Sequence, residues 1–365
     1  MSSSHAEAIR AALRAVKDPA TGRSITAGQL TTIDEEGGAL RLKVELISPG
    51  FPRKDELEAA IRGALAGVAG VDADAATIDY GLRVPSKPAR QDLNRLPTVK
   101  NIIAVAAGKG GVGKSTISVN TAVALRQLGA SVGILDADIY GPSVPKMLGK
   151  PERETATTAD GKRIAPALYR GLPVMSVDYF VEPGQAVVWR GPMIHKLLKQ
   201  FLEDVAWGDL DYLIVDLPPG TGDAQLSLAQ LIPITGAVIV TTPQELALID
   251  VRRAVSMFHK LEVPLLGVVE NMSYYACPAC GHHDNIFASG GGKSLAKEID
   301  AELLGEVPID NRISYGAEVG VPVVEGAPDS EYAAALRMIA ARAAMAVSSL
   351  SATGPKRSSM LRTLG

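Results

Sequence analysis

The chain lacks an excess of charge of either sign. Its 37 basic and 40 acidic residues leave a net charge of −3, so no global field marks nucleic acid or a membrane surface as a partner. No apolar run of the roughly 18 residues needed to span a bilayer stands out. The N-terminus, M-S-S-S-H-A-E-A-I-R, has no charged start followed by an apolar run and a small-residue cleavage site, so a secretory leader is not expected and a cytoplasmic location is. Cysteine is nearly absent. The only two, Cys277 and Cys280, sit in C-P-A-C, which in a reducing compartment argues for metal or redox chemistry over a structural disulfide. What is present, 47% hydrophobic and 21% charged residues over 365 positions, is the composition of a soluble globular protein of about two domains.

The most informative stretch is Ile102–Thr116, I-I-A-V-A-A-G-K-G-G-V-G-K-S-T. It reads as a buried strand, a glycine-rich turn and a helix start. Gly108, Gly113, Lys114 and Ser115 fit G-x-x-x-x-G-K-[ST], a phosphate cradle. Backbone N–H groups of Gly110, Gly111, Val112 and Gly113 face phosphate oxygens, Lys114 reaches the outer phosphates, and the Ser115 hydroxyl, followed by Thr116, ligates Mg²⁺. The positive end of the helix that follows adds to the attraction. A nucleotide with Mg²⁺ is the expected ligand. Lys109, a second lysine inside the loop, would be a mobile cation beside a polyphosphate.

Around this loop the chain divides. Residues 5–84 carry a helical pattern at Ala6–Val16, the turn signal D-P-A-T-G, an alternating strand at Leu40–Ile47, a helix with Leu57, Ile61 and Leu65 on one face, and a strand at Ala76–Val84, a small α/β domain. Residues 85–100 are polar and proline-punctuated, a linker. From 101 to 348, apolar runs at Ile102–Ala107, Val132–Leu135, Leu172–Val177, Tyr212–Val215, Ala237–Val240 and Leu265–Val269 alternate with helical segments, the pattern of an α/β P-loop NTPase with a largely parallel, doubly wound sheet. Glu331–Ser348 reads as an Ala-rich closing helix, and 349–365 as a basic, mobile tail. A-S-G-G-G-K-S near Gly290–Lys293 lacks the spacing of a phosphate loop and reads as a flexible turn.

Polar residues cluster where the expected strands end, the edge at which open α/β sheets bind ligands. Asp136 and Asp138 leave one strand two residues apart, and Asp216 ends another. Asp138 is the candidate for positioning or deprotonating the attacking water, with Asp136 and Asp216 supporting the metal; helix capping is the alternative for Asp136. Asn271, in E-N-M-S, has an amide able to read an adenine edge or to close a turn. V-P-I-D-N-R-I at 307–313 reads as a strand end followed by a loop, beside the expected base position.

Cys277 and Cys280 make half of a metal centre. Completing a four-thiolate site requires a second polypeptide, most simply a symmetric copy. His282 and His283 could instead complete a Cys₂His₂ zinc site, although their adjacency is unlike zinc-finger spacing; a dithiol redox switch or unused thiols remain open.

Taken in order, G-K-G-G-V-G-K-S-T, D-A-D, the Asp216 strand, E-N-M-S and C-P-A-C make residues 100–345 resemble the Mrp/ApbC proteins, iron–sulfur cluster carrier ATPases of the deviant Walker A class that includes MinD and ParA. The resemblance implies an ATPase that dimerises face to face around two nucleotides, carries a [4Fe–4S] cluster and passes it to apo iron–sulfur proteins. It implies that Lys109 reaches the partner subunit's nucleotide, that Asp138 activates water, that Asn271, Pro308 and Asp310 contact adenine, and that Cys277 and Cys280 bridge the cluster between protomers. The first domain is similar to a small module of iron–sulfur assembly factors, but Phe51 and Ala20 stand where that module often has a cysteine and an acidic residue, so a docking role is expected of it in place of thiol chemistry. The rival expectation is a MinD/ParA-like positioning ATPase acting on membrane or DNA, which leaves the cysteines unexplained. A structural zinc protein with a vestigial nucleotide site is the third class.

Overall fold

A computed structural model describes residues 3–36, 39–86, 96–181, 191–220, 222–277 and 279–353. The chain forms two compact units, one running to Pro85 and resuming at Ala344, the other from Ser86 to Ala343.

The first unit contains α1 (Ser3–Leu13), β1 (Leu30–Glu36), β2 (Ala39–Leu46), α2 (Lys54–Leu65) and β3 (Thr77–Leu82). β2 pairs antiparallel with β1 and parallel with β3. Alternation along β2 turns Leu40, Leu42 and Val44 to one face, where they meet Leu57, Ile61 and Leu65 of α2 and Ile9 and Leu13 of α1, the two periodicities that a sheet and a helix need to share a core. β1 was not anticipated as a separate strand. The D-P-A-T-G turn is held by Asp18, fully buried, whose carboxylate accepts from the backbone N–H groups of Ala20 and Thr21 at 3.0 and 2.8 Å and from Gln29 Nε2 at 2.9 Å. Phe51 is buried in this core, so the position that often carries a thiol in similar modules here contributes packing.

The second unit contains β4 (Val99–Ala107), α3 (Lys114–Gln127), β5 (Val132–Asp136), α4 (Val144–Leu148), the short β6 (Ala156–Thr157), β7 (Ile164–Ala165) and β8 (Ala167–Tyr169), then β9 (Leu172–Ser176), α5 (Gly191–Glu203), β10 (Leu210–Asp216), α6 (Asp223–Leu231), β11 (Gly236–Thr241), α7 (Glu245–Lys260), β12 (Leu265–Ala276), β13 (His283–Asp284), α8 (Gly291–Glu298), β14 (Leu303–Ile309), α9 (Asn311–Val319), α10 (Val323–Gly326) and the start of α11 (Glu331–Thr353), whose residues from Ala344 onward belong to the first unit. Nine strands form one sheet in the order β13-β12-β11-β4-β10-β5-β9-β8, with β14 added beside β12. The central strands β9, β5, β10, β4, β11, β12 and β14 are parallel, while β8 and β13 add antiparallel edges. Strands buried on both faces read as continuous apolar runs: from Asn101 to Ala107 every residue of β4 is buried. Such burial is the mark of a parallel sheet covered by helices on each side. The fold is an α/β P-loop NTPase with a small additional α/β unit.

Several expectations are corrected. β4 begins at Val99, inside the stretch read as linker, and residues 87–95 lie outside the described residues. β14 is a full strand where only a strand end was expected. Within A-S-G-G-G-K-S, Gly290 is the N-cap of α8 and Gly291–Ser294 form its first turn, so this part is not a flexible turn. Glu270, fully buried, accepts from the N–H of Gly292 and, at 2.5 Å, from Ser273 Oγ. A Cβ at Gly291 would meet the Pro243 carbonyl oxygen at 2.5 Å, so the glycines serve close packing. The boundary drawn at 348/349 falls within α11, which runs to Thr353; Ser348 and Ser349 donate to the carbonyls of Ile47 and Ala20 at 2.7 and 3.1 Å. Residues 354–365 lie outside the described residues. By length and composition alone Glu331–Ser351 is apolar enough to cross a membrane, contrary to expectation, yet half of it is buried, with Leu336, Ile339, Ala340 and Ala343 inward, as in the core helix of a globular fold.

Candidate nucleotide site and cysteine pair

β4 ends at Ala107 in the middle of the sheet and releases the loop Gly108–Gly113 at the carboxyl edge; α3 begins at Lys114. Two glycines are required by the packing. A Cβ at Gly108 would collide with the backbone of Asp250 and Val251 on α7, and Gly113 has φ +84° and lies so close to Asn271 that a Cβ would overlap the side-chain amide. The left-handed conformation at Gly113 turns the chain into the helix at a point where L side chains are strained. Gly110 and Gly111 are exposed on the loop, Val112 is buried, and Ser115 and Thr116 are half-buried on the first turn of α3. Lys109 is half-buried and makes no ion pair among the described residues.

Lys114 is almost wholly buried. Its Nζ lies 2.8 Å from Asp216 Oδ2 and 3.6 Å from Asp138 Oδ2. Ser115 Oγ donates to Asp216 Oδ2 at 2.5 Å and Ser118 Oγ to Asp216 Oδ1 at 2.6 Å. Asp216 is therefore the hub at which phosphate-loop lysine and serine meet. Asp136 is opposite it in register on the neighbouring parallel strand. Its own oxygens are otherwise engaged: Oδ1 accepts from Asp138 N–H at 3.1 Å, and Oδ2 accepts from Ser143 N–H, Val144 N–H and Ser176 Oγ at 3.2, 3.3 and 3.2 Å. Asp136 thus organises the 138–144 turn and the start of α4. Burial first, and Asp216 next, push its carboxyl up to about 8; burial also raises Asp138.

Three carboxylates with one lysine leave a surplus of negative charge in a buried cluster, which is costly unless neutralised. A divalent cation taking the Ser115 hydroxyl, with Asp216 behind it, fits that donor set, because Mg²⁺ uses few protein oxygens and keeps its waters.

Of the residues expected around the base, Asn271 lies on β12 with its Nδ2 donating to the Val112 carbonyl at 2.8 Å. One of its two amide N–H donors is engaged in bracing the phosphate loop. Pro308 is buried near the end of β14. Asp310 caps α9 through Arg312 N–H and pairs with Arg312 Nη2 at 2.9 Å; desolvation pushes its carboxyl up, but the Arg312 bonds win and hold it low.

The same strand that carries Asn271 continues to Ala276 and turns back as β13. Cys277 and Cys280 lie in that turn, half-buried and exposed respectively. Cys277 N–H donates to the His282 carbonyl at 2.9 Å, and Gly281 N–H to the Cys277 carbonyl at 2.8 Å. Backbone N–H groups of Ala279 and Cys280 lower the Cys277 thiol, which favours the thiolate that binds metal. His283 stacks on Tyr274 with centroids 4.5 Å apart. Among the described residues no three His, Cys, Asp or Glu side chains come together as a metal set, so the Cys₂His₂ arrangement is not assembled there.

Sequence reasoning missed Ser118, Ser176 and Ser143, whose bonds to Asp216 and Asp136 cross between elements. It also missed Gln225, buried on α6 beside a cavity of about 350 Å³ lined by Asp138, Pro218 and Pro219. The spacing D-x₈-Q after the Asp216 strand offered no signal by itself.

Comparison with known proteins agrees with this architecture. Residues 98–344 match the family described as NUBPL iron-transfer P-loop NTPase, and residues 6–78 match a family of iron–sulfur cluster assembly proteins. The chain is 45% identical over 337 residues to the iron–sulfur cluster carrier protein of Deinococcus radiodurans, covering 92% of this chain and 93% of that one. It is 42% identical over 346 residues to the protein of the same name from Synechocystis, covering 94% and 98%. Among solved structures, a nucleotide-binding protein of Archaeoglobus fulgidus in complex with ADP aligns with a TM-score of 0.56 at 40% identity, covering 62% of this chain and 88% of that chain. The Pyrococcus furiosus cell division ATPase MinD, at 24% identity and a TM-score of 0.50 over 66% of this chain and 97% of that one, shares the fold. With the phosphate loop, its carboxylate hub and the cysteine turn in one sheet, the chain belongs to the Mrp/ApbC-type iron–sulfur cluster carrier ATPases, within the NUBPL iron-transfer group of P-loop NTPases.

Proposed function

We propose that this protein is an ATP-dependent iron–sulfur cluster carrier. Two copies bind and hydrolyse Mg-ATP, hold one [4Fe–4S] cluster on the paired Cys277 and Cys280 of both, and pass it to apo iron–sulfur proteins. The observation that carries the reading is the isolated cysteine turn: its two thiols are half of a four-thiolate set, and the strand beneath them also braces the phosphate loop through Asn271. Exposed Tyr275, Ile286 and Phe287 near that turn give apolar surface of the kind a second protein covers.

In this reading the backbone N–H groups from Gly108 to Thr116 orient the phosphates, and Lys114 leaves Asp216 to meet them. Lys109, which makes no ion pair among the described residues, supplies charge to the partner's nucleotide. Mg²⁺ held at Ser115, with Asp216 behind it, would neutralise charge on the outer phosphates. Asp138 accepts the proton of the attacking water, while Asp136 holds the turn that aims it. Asn271, Pro308 and Asp310 border the base, with Asn271 also fixing the loop.

Anaerobic reconstitution tests the proposal. Four irons and four sulfides per two chains are expected, lost in Cys277→Ala/Cys280→Ala. Stoichiometric zinc without sulfide, or loading unchanged in that variant, would overturn it.

A further inference from the structure

Gln225 stands apart among the buried polar side chains of the second unit. It is 1% exposed, and neither its Oε1 nor its Nε2 has a hydrogen-bond partner among the described residues. Leaving both ends of an amide unpaired is costly, and folds keep such a group where something outside the protein supplies the partners. The group lines the cavity of about 350 Å³ that Asp138 also lines, space for several waters. Pro218 and Pro219 form another part of the wall; having no N–H, they offer it no backbone donor. Gln225 therefore brings a side-chain amide to the same cavity as the Asp138 carboxylate. It sits in the first turn of α6, directly after the loop that leaves Asp216.

We propose that Gln225 is a catalytic residue of ATP hydrolysis, holding the attacking water with Asp138. The proposal rests on reading Gly108–Thr116 as the ATP cradle and Asp138 as the proton acceptor. The two side chains divide the work by their chemistry. An ionised carboxylate only accepts, so Asp138 takes a proton from the water; an amide both donates and accepts. Gln225 Oε1 accepts the second water O–H, and Nε2 donates to an oxygen of the terminal phosphoryl group. The water oxygen bonds to the γ-phosphorus, the bond from that phosphorus to the β–γ bridging oxygen breaks, and its electron pair leaves on ADP. One proton passes to Asp138 and then to solvent. Orienting water by a glutamine is a known solution in other P-loop NTPases, and removing one such polar contact typically costs about 10- to 1,000-fold in rate.

The test uses the full chain with Mg-ATP. Gln225→Met keeps the volume and helix propensity and deletes both polar ends; Gln225→Glu keeps the shape and loses the donor. Both variants are expected to lose about 10- to 100-fold in kcat, while affinity for a fluorescent ADP shifts by less than about threefold. Binding of ADP with aluminium fluoride, which mimics the transferring phosphoryl group, should weaken in step with kcat. The melting temperature of Gln225→Met should not fall, because the variant removes an unsatisfied group. Wild-type kcat in Gln225→Met overturns the proposal, as does a loss matched by equally weakened ADP binding and a lowered melting temperature, the signature of a structural residue. If Asp138→Asn hydrolyses ATP at the wild-type rate, the reading of the site itself fails and this proposal with it; Asp138-dependent hydrolysis indifferent to Gln225 refutes this proposal alone.

Discussion

Truncating Asn271 separates two jobs that one amide could do. The side chain is 6% exposed, and its Nδ2 gives the buried Val112 carbonyl a hydrogen bond of 2.8 Å. Asn271→Ala leaves that acceptor buried and unpaired, a cost of about 1–3 kcal/mol, and opens space over Gly113, whose left-handed conformation is packed against the amide. The loop then samples conformations in which its N–H groups no longer converge on phosphate. If about 1–2 kcal/mol of the lost bracing reappears as weaker binding, Kd rises roughly 5- to 30-fold. The assay is titration of the variant and the wild type with Mg-ATP, Mg-GTP and magnesium tripolyphosphate. A bracing role predicts the same factor for all three, since the loop grips only phosphate. A loss confined to ATP, with GTP and tripolyphosphate unaffected, would show that Asn271 reads adenine and would refute the bracing argument.

Gly113→Ala should be more severe, because the new Cβ meets the Asn271 amide and the φ of +84° is strained for alanine; a strain of about 1–3 kcal/mol added to the displaced amide should weaken Mg-ATP by roughly 10- to 100-fold or more by calorimetry. Asp138→Asn should lower kcat by about 10²- to 10⁴-fold while fluorescent-ADP affinity holds, since the residue touches Lys114 at 3.6 Å only as its second carboxylate. A parallel collapse of ADP binding would instead make Asp138 a binding residue.

The central parallel strands were legible because each is a short apolar run that meets polar residues or a glycine at its end. The elements that were missed broke that pattern. β14 reads L-L-G-E-V-P-I: a glycine, a charge and a proline interrupt the run, and the strand exists because β12 offers an unpaired edge for it to join. α8 opens on glycines, poor helix formers, and is fixed by Glu270 and Pro243, neither adjacent in sequence. The mislaid boundary at 348/349 has the same origin, since the serines of α11 find carbonyls about 300 positions earlier in the chain.

Contiguous chemistry needed no fold to be read. The phosphate loop and the C-P-A-C turn are local motifs whose spacing already dictates which atoms converge, and together they carried the family. Long-range chemistry was settled by the sheet. Ser115 and Asp216 are 101 positions apart and Asn271 and Val112 are 159 apart, and only parallel strands ending side by side bring them within bonding distance. That register made Asp216 the hub, gave Asp136 a turn to hold, and set Gln225, a residue without a motif, in the wall of the cavity that Asp138 also lines. Side-chain chemistry is written in each residue, but what a buried carboxylate or amide does depends on which partners folding supplies and which it withholds.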